Sequence, residues 1–163
     1  MTTELSFRKR HRLRAREVEE LGAIVREAVG EDLLATEPAV DRATGLDMDY
    51  LLIRDRVAYI IVDGRPFPTL HTLLARAPPR GWVDVDEGAI PFLANGADCM
   101  APGVVAADEG IKEGDWVWVR DARHKRPLAV GRAMMSGPDM AAAEKGKAVR
   151  TIHWVGDKVW AYE

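Results

Sequence analysis

The sequence has a single cysteine, no long apolar run and no apolar N-terminal segment, and each of these shortages excludes a class of protein or site. It contains one cysteine, Cys99, which excludes an intrachain disulfide framework and an all-cysteine zinc site. Its longest clean apolar run, Val57 to Val62, is far shorter than the ~20 residues that a membrane helix needs. Phe7 is followed at once by three basic residues, so the N-terminal segment lacks the apolar core of a signal peptide. We therefore expect a cytoplasmic protein without a membrane partner.

Amide side chains and net charge are also scarce. Asn95 is the only asparagine and there is no glutamine, which indicates a thermophilic source or a genome of biased composition. The formal net charge of −3 is small for 163 residues. It excludes a uniformly basic coat for nucleic acid, but a local basic patch remains compatible with it because phosphate responds to the local field.

Motifs of catalysis are absent from the sequence. The four histidines lie in separate segments, and no phosphate-binding glycine loop of either common type is present. Cys99 follows an apolar pattern beside Met100 and is expected to be a small core residue rather than a reactive thiol. Asp47 and Asp49 share one face of an expected strand, which is either a weak metal site or a solvated face. We expect no catalytic residue, no metal and no cofactor.

The first half of the chain predicts a small α+β domain over residues 1–80. A helix is predicted for Glu17–Val29 because apolar residues recur there at helical spacing, with Gly30 at its end. Shorter elements follow: strands at Ala35–Ala43, Leu46–Arg54 and Val57–Val62, a turn at Asp55-Arg56, and a helix that begins after Thr69. Pro78-Pro79-Arg80-Gly81 is the expected linker.

The second half, residues 82–163, predicts many short strands around one early helix. Asp86 is expected to cap a helix over Glu87–Ala94, which Pro91 should keep short or bent. Gly156-Asp157 is expected to form a two-residue hairpin turn before a last strand. The strands are expected at Trp82–Val85, Asp98–Met100, Val104–Val105, Trp116–Asp121, Leu128–Met135, Ala148–Trp154 and Lys158–Tyr162, with a helical turn at Asp139–Lys145. This pattern favours a small, partly closed barrel.

Basic residues are clustered although the total charge is low. Six of them fall between Arg8 and Arg16 with no acid among them, so this run is either an RNA-contacting arm or the charged entry to a helix. The loop Ala122–Pro127 either reaches phosphates or is a solvated hairpin tip. The candidate phosphate-contacting residues are Arg8, Lys9, Arg10, Arg12, Arg123, Lys125 and Arg126.

Tryptophans alternate along two of the expected strands. Trp116 and Trp118 share a face with Arg120, and Trp160 shares a face with Lys158. Exposed tryptophans stack on unpaired bases, whereas buried ones fill a small barrel or a domain boundary. The sequence leaves both readings open.

Four blocks of the second half carry a family resemblance. Gly88-Ala89, Gly96 to Val104, Gly114-Asp115 and Ala129 to Ala133 closely resemble the PUA domain, the RNA-binding module of pseudouridine synthases and archaeosine transglycosylases. The first half, from Ile61 to Leu74, resembles more diffusely the pre-PUA domain. That domain precedes PUA in the malignant T-cell amplified and ligatin translation proteins and in stand-alone archaeal PUA proteins.

This resemblance implies a pre-PUA-like domain followed by a PUA-like mixed β-barrel that binds structured RNA, often the acceptor end of tRNA. It implies a binding module without the catalytic domain of those enzymes. The family uses its first helix, the following glycine turn, the next strand and the last strand to contact RNA. Carried over by position, these are Gly88, Ala89, Asn95, Gly96, Ala97, Asp98, Met100, Pro102, Gly103, Lys158 and Trp160.

Several functions are compatible with these observations. The preferred hypothesis is a non-enzymatic protein that binds tRNA or rRNA in translation, with the ribosome or a translation protein as a partner. The alternatives are an RNA-targeting subunit of a separate modification enzyme and a protein-interaction adaptor. The adaptor remains open because the half from Val83 onward holds 10 basic and 13 acidic residues. A small enzyme with dispersed residues is the least favoured.

Overall fold

The computed structural model describes residues 5–45 and 47–162. The chain forms two compact units. The first comprises the residues up to Pro78 together with the segment that starts at Lys158, and the second comprises Pro79–Asp157. None of the helices within residues 5–45 and 47–162 is long and apolar enough to cross a membrane.

The first unit contains a five-stranded antiparallel sheet, whose strands follow one another in chain order, and the helices α1 and α2. Helix α1 ends at Gly30, whose φ of 90° is the left-handed conformation that favours glycine. Helix α2 begins after Thr69, whose buried Oγ1 donates to Val57 O at 2.9 Å. The elements are β1 (Arg8–Arg12), α1 (Ala15–Val29), β2 (Asp41–Thr44), β3 (Asp49–Ile53), β4 (Arg56–Val62), β5 (Arg65–Pro68) and α2 (Leu70–Arg76).

Three expectations for the first unit are corrected by this sheet. The strand expected from Ala35 starts only at Asp41, because the Asp32 carboxylate accepts the Leu34 N–H and the chain turns there. The basic run is edge strand β1. Strand β5 is an element that the sequence analysis did not predict. It contains Pro66 and Pro68 and lies at the other edge of the sheet, where a missing N–H donor is tolerated.

The second unit is a six-stranded mixed sheet that forms an open, curled half-barrel. Its order is β7-β11-β10-β9-β6-β8, and β6 runs parallel to β9 while the other pairs are antiparallel. The elements are β6 (Trp82–Val85), α3 (Ile90–Leu93), β7 (Cys99–Met100), β8 (Val104–Ala107), β9 (Trp116–Asp121), β10 (Pro127–Ala133), α4 (Gly137–Ala142) and β11 (Lys147–Trp154). The expected α+β class and partly closed barrel are confirmed.

Most of the expected elements of this unit are present, with shifted ends. The helix expected over Glu87–Ala94 is a 3₁₀ turn at Glu87–Ala89 followed by the single turn of α3, as expected from Pro91. The core lies inside the curl, where Val83 and Val85 of β6 meet Val117 and Val119 of β9.

The last expected strand is wrong, because Lys158–Ala161 forms the short helix α5. The Asp157 carboxylate accepts the Trp154 N–H at 2.9 Å and lies 2.8 Å from His153 Nδ1, which ends β11. No strand follows β11 within residues 5–45 and 47–162, so Gly156-Asp157 is not a hairpin turn. Residues from Lys158 therefore fall with the first unit and not within the expected 82–163 domain.

Strands β10 and β11 approach closely at Gly131. A Cβ placed on Gly131 would lie 2.1 Å from the backbone O of Arg150, a contact that only a backbone shift can relieve. A Cβ on Gly110 would meet its nearest atom, Asp108 Oδ1, at an ordinary 3.6 Å. Only the first site therefore requires glycine for space.

We expect Gly131→Ala to lower the free energy of unfolding by about 3 kcal/mol, because it forces two paired strands apart. Gly110→Ala is the matched control and should change stability by less than about 0.5 kcal/mol. Urea unfolding of both variants measures the difference. Equal stabilities would show that the two strands separate there without cost.

Candidate nucleic-acid interface

The glycine turn after α3, at Gly96 and Ala97, packs against an aromatic ring of β11. Gly96 has a φ of 82°, and a Cβ there would lie 2.8 Å from the ring of Trp154 on β11. The Gly96 N–H donates to Leu93 O, and the Ala97 N–H donates to Phe92 O. Any other residue at Gly96 would be both strained and pressed into the ring, so the turn lies on β11 only because it lacks a side chain.

Hydrogen bonds from β11 complete the attachment of this turn. The Thr151 N–H donates to Asp98 Oδ1 at 2.8 Å, and Thr151 Oγ1 donates to Ala97 O at 2.9 Å. Lys147 Nζ lies 2.7 Å from Asp98 Oδ2. Partial burial raises the pKa of Asp98, but the bonds from Lys147 and Thr151 outweigh it and hold the pKa below its ordinary value. The Asp98 carboxylate is therefore ionised at neutral pH and can keep both bonds to β11.

A second chain segment lies beside the first turn of this helical region. The Asp86 N–H donates to Gly103 O at 3.0 Å, and Asp86 Oδ1 accepts the Ala89 N–H at 3.1 Å. A Cβ on Gly103 would lie 3.2 Å from Ala89 Cβ, so the two segments are in contact. The structure thus brings Gly88 and Ala89 next to Pro102 and Gly103.

Nine of the eleven residues carried over from the family lie at or near the surface of the second unit. Among these nine, Gly88, Asn95, Ala97, Met100 and Pro102 are exposed, and Ala89, Gly96, Asp98 and Gly103 are half-buried. Lys158 and Trp160 lie on α5 in the first unit instead. The Trp160 ring stacks on His71 with a centroid distance of 4.0 Å, and its backbone O is 2.9 Å from His71 Nε2. Trp160 therefore packs within the first unit.

Phe92 was not singled out from the sequence, and it is the most conspicuous side chain at the turn. It is 67% exposed although its neighbour Leu93 is buried. Its backbone O accepts the N–H groups of both Asn95 and Ala97, each at 3.1 Å, which anchors its main chain. The sequence signal for the exposure of Phe92 was Pro91. It limits α3 to a single turn, in which only one apolar residue of the Pro91-Phe92-Leu93 run can point inward.

The basic loop between β9 and β10 uses part of its charge internally. Lys125 Nζ lies 2.6 Å from Asp84, a carboxylate that is only 3% exposed, and Arg120 binds the other oxygen of Asp84. Arg123 pairs with Glu87 at 3.1 Å in an exposed pair. Within residues 5–45 and 47–162, no ion pair engages the exposed Arg126. Arg126 is thus the cation of this loop with charge available for a ligand.

The tryptophans of β9 fill the fold rather than the surface. Trp118 is 1% and Trp116 is 5% exposed. The Arg120 guanidinium lies over the Trp82 and Trp118 rings, 4.5 and 5.2 Å from their centroids. The open question about these rings is answered in favour of packing, and cation–π contact fixes Arg120 as well.

The basic run of β1 belongs to the first unit and is partly neutralised. All five side chains of Arg8–Arg12 are exposed. Asp41 accepts hydrogen bonds from Arg12 Nε and, at 2.9 Å, from Arg10 Nε. The bond from Arg12 is the main cause that lowers the pKa of Asp41. Arg10 also donates to Asp55 at 2.7 Å.

The residues weighed for other chemistry lie in ordinary surroundings. Cys99 is 2% exposed, and burial raises the pKa of its thiol to about 12. Asp49 accepts hydrogen bonds from Arg42, the shorter at 2.8 Å. The part of the chain that the structure describes holds no group of three or more histidine, cysteine or acidic residues placed to bind a metal.

Comparison with known proteins gives the family to which this curled half-barrel belongs. The PUA domain model matches residues 81–155. An uncharacterized protein of Methanocaldococcus jannaschii is 44% identical over 133 residues, which cover 82% of each chain. The solved structure of a conserved PUA domain protein from Thermoplasma acidophilum is 29% identical, with a TM-score of 0.79, 95% of this chain covered and 100% of that one. The chain belongs to the PUA domain proteins.

A relative connected with translation is also similar. Translation machinery-associated protein 20 of Schizosaccharomyces pombe is 30% identical over 115 residues. The match covers 68% of this chain and 64% of that protein. The expected resemblance to translation proteins is confirmed at the level of family.

The ion pair at the glycine turn is directly testable. Lys147→Met should raise the pKa of Asp98 towards its ordinary value of about 3.9, because the largest attraction on the carboxylate is lost. The stability from Asp98 is fully present above that unfolded value and is lost as pH falls through the lower folded pKa. NMR titration of the carboxyl carbon measures this. Lys145→Met, two residues away, should leave the Asp98 pKa unchanged, and an unchanged pKa in Lys147→Met would contradict the pairing.

Proposed function

We propose that this protein binds structured RNA without catalysing a reaction on it, and that it does so in translation. One observation carries the proposal: an exposed glycine turn is held rigid on β11 in a chain that belongs to the PUA domain proteins. A rigid surface loses little conformational entropy on binding, which favours recognition of RNA shape.

The surface around the turn offers two kinds of contact to RNA. Backbone groups near Gly96 and the exposed Phe92 suit unpaired nucleotides, because an aromatic ring stacks on any base. Lys145 and Arg150 are exposed cations near or on β11, the strand that supports the turn, and they suit phosphates. The combination fits a stem next to a single strand, as in the acceptor end of tRNA or a junction in rRNA.

The proposed binding residues in the second unit are those at the glycine turn, together with the basic loop. The proposed binding residues in the first unit are Arg8, Lys9, Arg10 and Arg12 on β1, and Lys158 and Trp160 on α5. The similarity to translation machinery-associated protein 20 supports a role in translation. Within translation we propose initiation or recycling, with the ribosome or a translation protein as partner.

An affinity series tests this proposal. Mature tRNA, tRNA without its 3′ end and an unrelated duplex RNA are titrated at several salt concentrations. We expect the mature tRNA to bind most tightly, with an affinity that falls as salt rises. Absence of binding to all three RNAs at low salt would refute the proposal and favour the protein-interaction adaptor. Co-purification from cells then separates a ribosomal partner from a modification enzyme that this chain would target to RNA.

Phe92→Ala should weaken binding of mature tRNA by about tenfold, since stacking on one base is worth about 1–3 kcal/mol. The salt dependence should stay unchanged, because no charge is removed. Val105→Ala, at another exposed apolar residue, is the control and should bind normally. Equal binding by Phe92→Ala and the parent protein would exclude a stacking role.

The basic loop gives a separate charge test. Arg126→Ala should lower the salt slope of RNA binding by about one, the effect of losing one phosphate contact. Arg123→Ala should have a smaller effect, because Glu87 already pairs with Arg123. A series of RNA titrations across salt concentrations measures both slopes. A larger change in Arg123→Ala than in Arg126→Ala would reverse the assignment.

A further inference from the structure

A groove in the first unit lies beside the basic edge strand. It has a volume of about 220 Å³ and lies between β1, the turn that joins β3 to β4, and the segment before β2. Three arginines line it: Arg10 and Arg12 from β1 and Arg54 from the turn. Because Arg10 and Arg12 are two residues apart on a strand, their side chains leave the same face of the sheet.

Two carboxylates hold the β1 arginines in place. Asp41 bridges them by accepting a hydrogen bond from the Nε of each, and Asp55 accepts from Arg10 Nη2 at 2.7 Å. A guanidinium has five N–H donors, so these bonds leave the Nη donors of Arg12 unused within the described residues. A guanidinium that is already held in place and has unused N–H donors can bind the oxygen atoms of a ligand without rearranging.

Arg54 adds a charge that is not balanced. It is exposed, it has a φ of 53° in the turn, and the described ranges place no acidic partner on it. Three arginines and two aspartates leave one net positive charge on the groove. This balance suits a ligand with one negative charge, such as a phosphodiester, better than a doubly charged phosphomonoester.

The remaining wall of the groove is apolar. Pro38 and Ala39 lie on one side, and Leu52 and Ile53 belong to β3. Leu52 is only 1% exposed and therefore belongs to the core rather than to the open surface. The accessible part of this wall, Pro38, Ala39 and Ile53, is suited to the face of a sugar or a base next to the phosphate.

We propose that this groove binds one nucleotide of an RNA strand, with its phosphodiester on Arg12 and Arg54 and its sugar or base against the apolar wall. This inference rests on the proposed RNA-binding function and adds to it a defined contact on the first unit. It assigns to Arg54, which lies outside the basic run, the same phosphate-binding role as to Arg12 of β1.

The test uses a matched pair of charge reversals in the full chain. Arg54→Glu removes the unbalanced charge, whereas Arg56→Glu makes the same change two residues later at an exposed position that does not line the groove. Affinity for a short oligouridylate at physiological salt should fall about tenfold in Arg54→Glu and less than about twofold in Arg56→Glu, because only Arg54 lines the groove and can contact the phosphodiester directly. Arg54→Lys should retain most of the affinity.

The outcomes separate this inference from the function on which it rests. If the parent protein binds RNA and Arg54→Glu binds equally well, the groove is not a contact, although the proposed function stands. Equal losses in Arg54→Glu and Arg56→Glu would show a general electrostatic effect and overturn the groove. Photo-crosslinking of oligouridylate containing 4-thiouridine should label peptides with residues 38–41 or 52–55, and labelling elsewhere alone would overturn it. Binding of uridine 5′-monophosphate as tight as that of the oligonucleotide would make this a free-nucleotide site and also overturn it.

Discussion

The second unit depends on two glycines that let other parts of the chain approach strand β11 closely. Gly131 of β10 lies where a Cβ would be 2.1 Å from a carbonyl oxygen of β11. Gly96, in the turn after α3, lies where a Cβ would be 2.8 Å from the ring of Trp154 on β11. The first contact sets the spacing of the central strands, and the second sets the position of the turn. Both contacts involve the same strand, so the packing of the sheet and the position of the glycine turn both depend on β11.

Charges near the interface are largely used to hold loops in place. Buried Asp84 binds Arg120 and Lys125, and Arg120 is also stacked on two tryptophans. Removing one partner from a buried carboxylate costs more than the pair contributes, since the other charge remains desolvated. The bond from Lys125 to Asp84 therefore positions the loop, whereas Arg126 projects from the same loop and has no ion pair within the described residues.

The sequence predicted the elements whose signals are local, and it failed where tertiary contacts decide. The glycine motif predicted the turn at Gly96, and the Asp86 cap predicted the first helical turn. The pattern of Lys158 to Tyr162 alternates as a strand does, yet Asp157 bonds back to β11, and Trp160 stacks on His71, which is 89 residues away along the chain. No local pattern contains that contact. Strand β1 was missed for a related reason: its charges look solvated, and only pairing with β2 makes it a strand.

The pairing of so many cations also decides how RNA would be held. A protein that neutralises several phosphates shows a salt slope of about −0.9 for each one on a duplex. Here Lys147, Lys125 and Arg123 already have carboxylate partners, whereas Arg126 and Arg150 have no ion pair within the described ranges. Few phosphate contacts then leave much of the affinity to stacking and shape, which are insensitive to salt. Under the proposed function, a half with 13 acidic and 10 basic residues binds RNA because its acids hold the surface in place, and the few cations without an ion pair in the described residues contact phosphate.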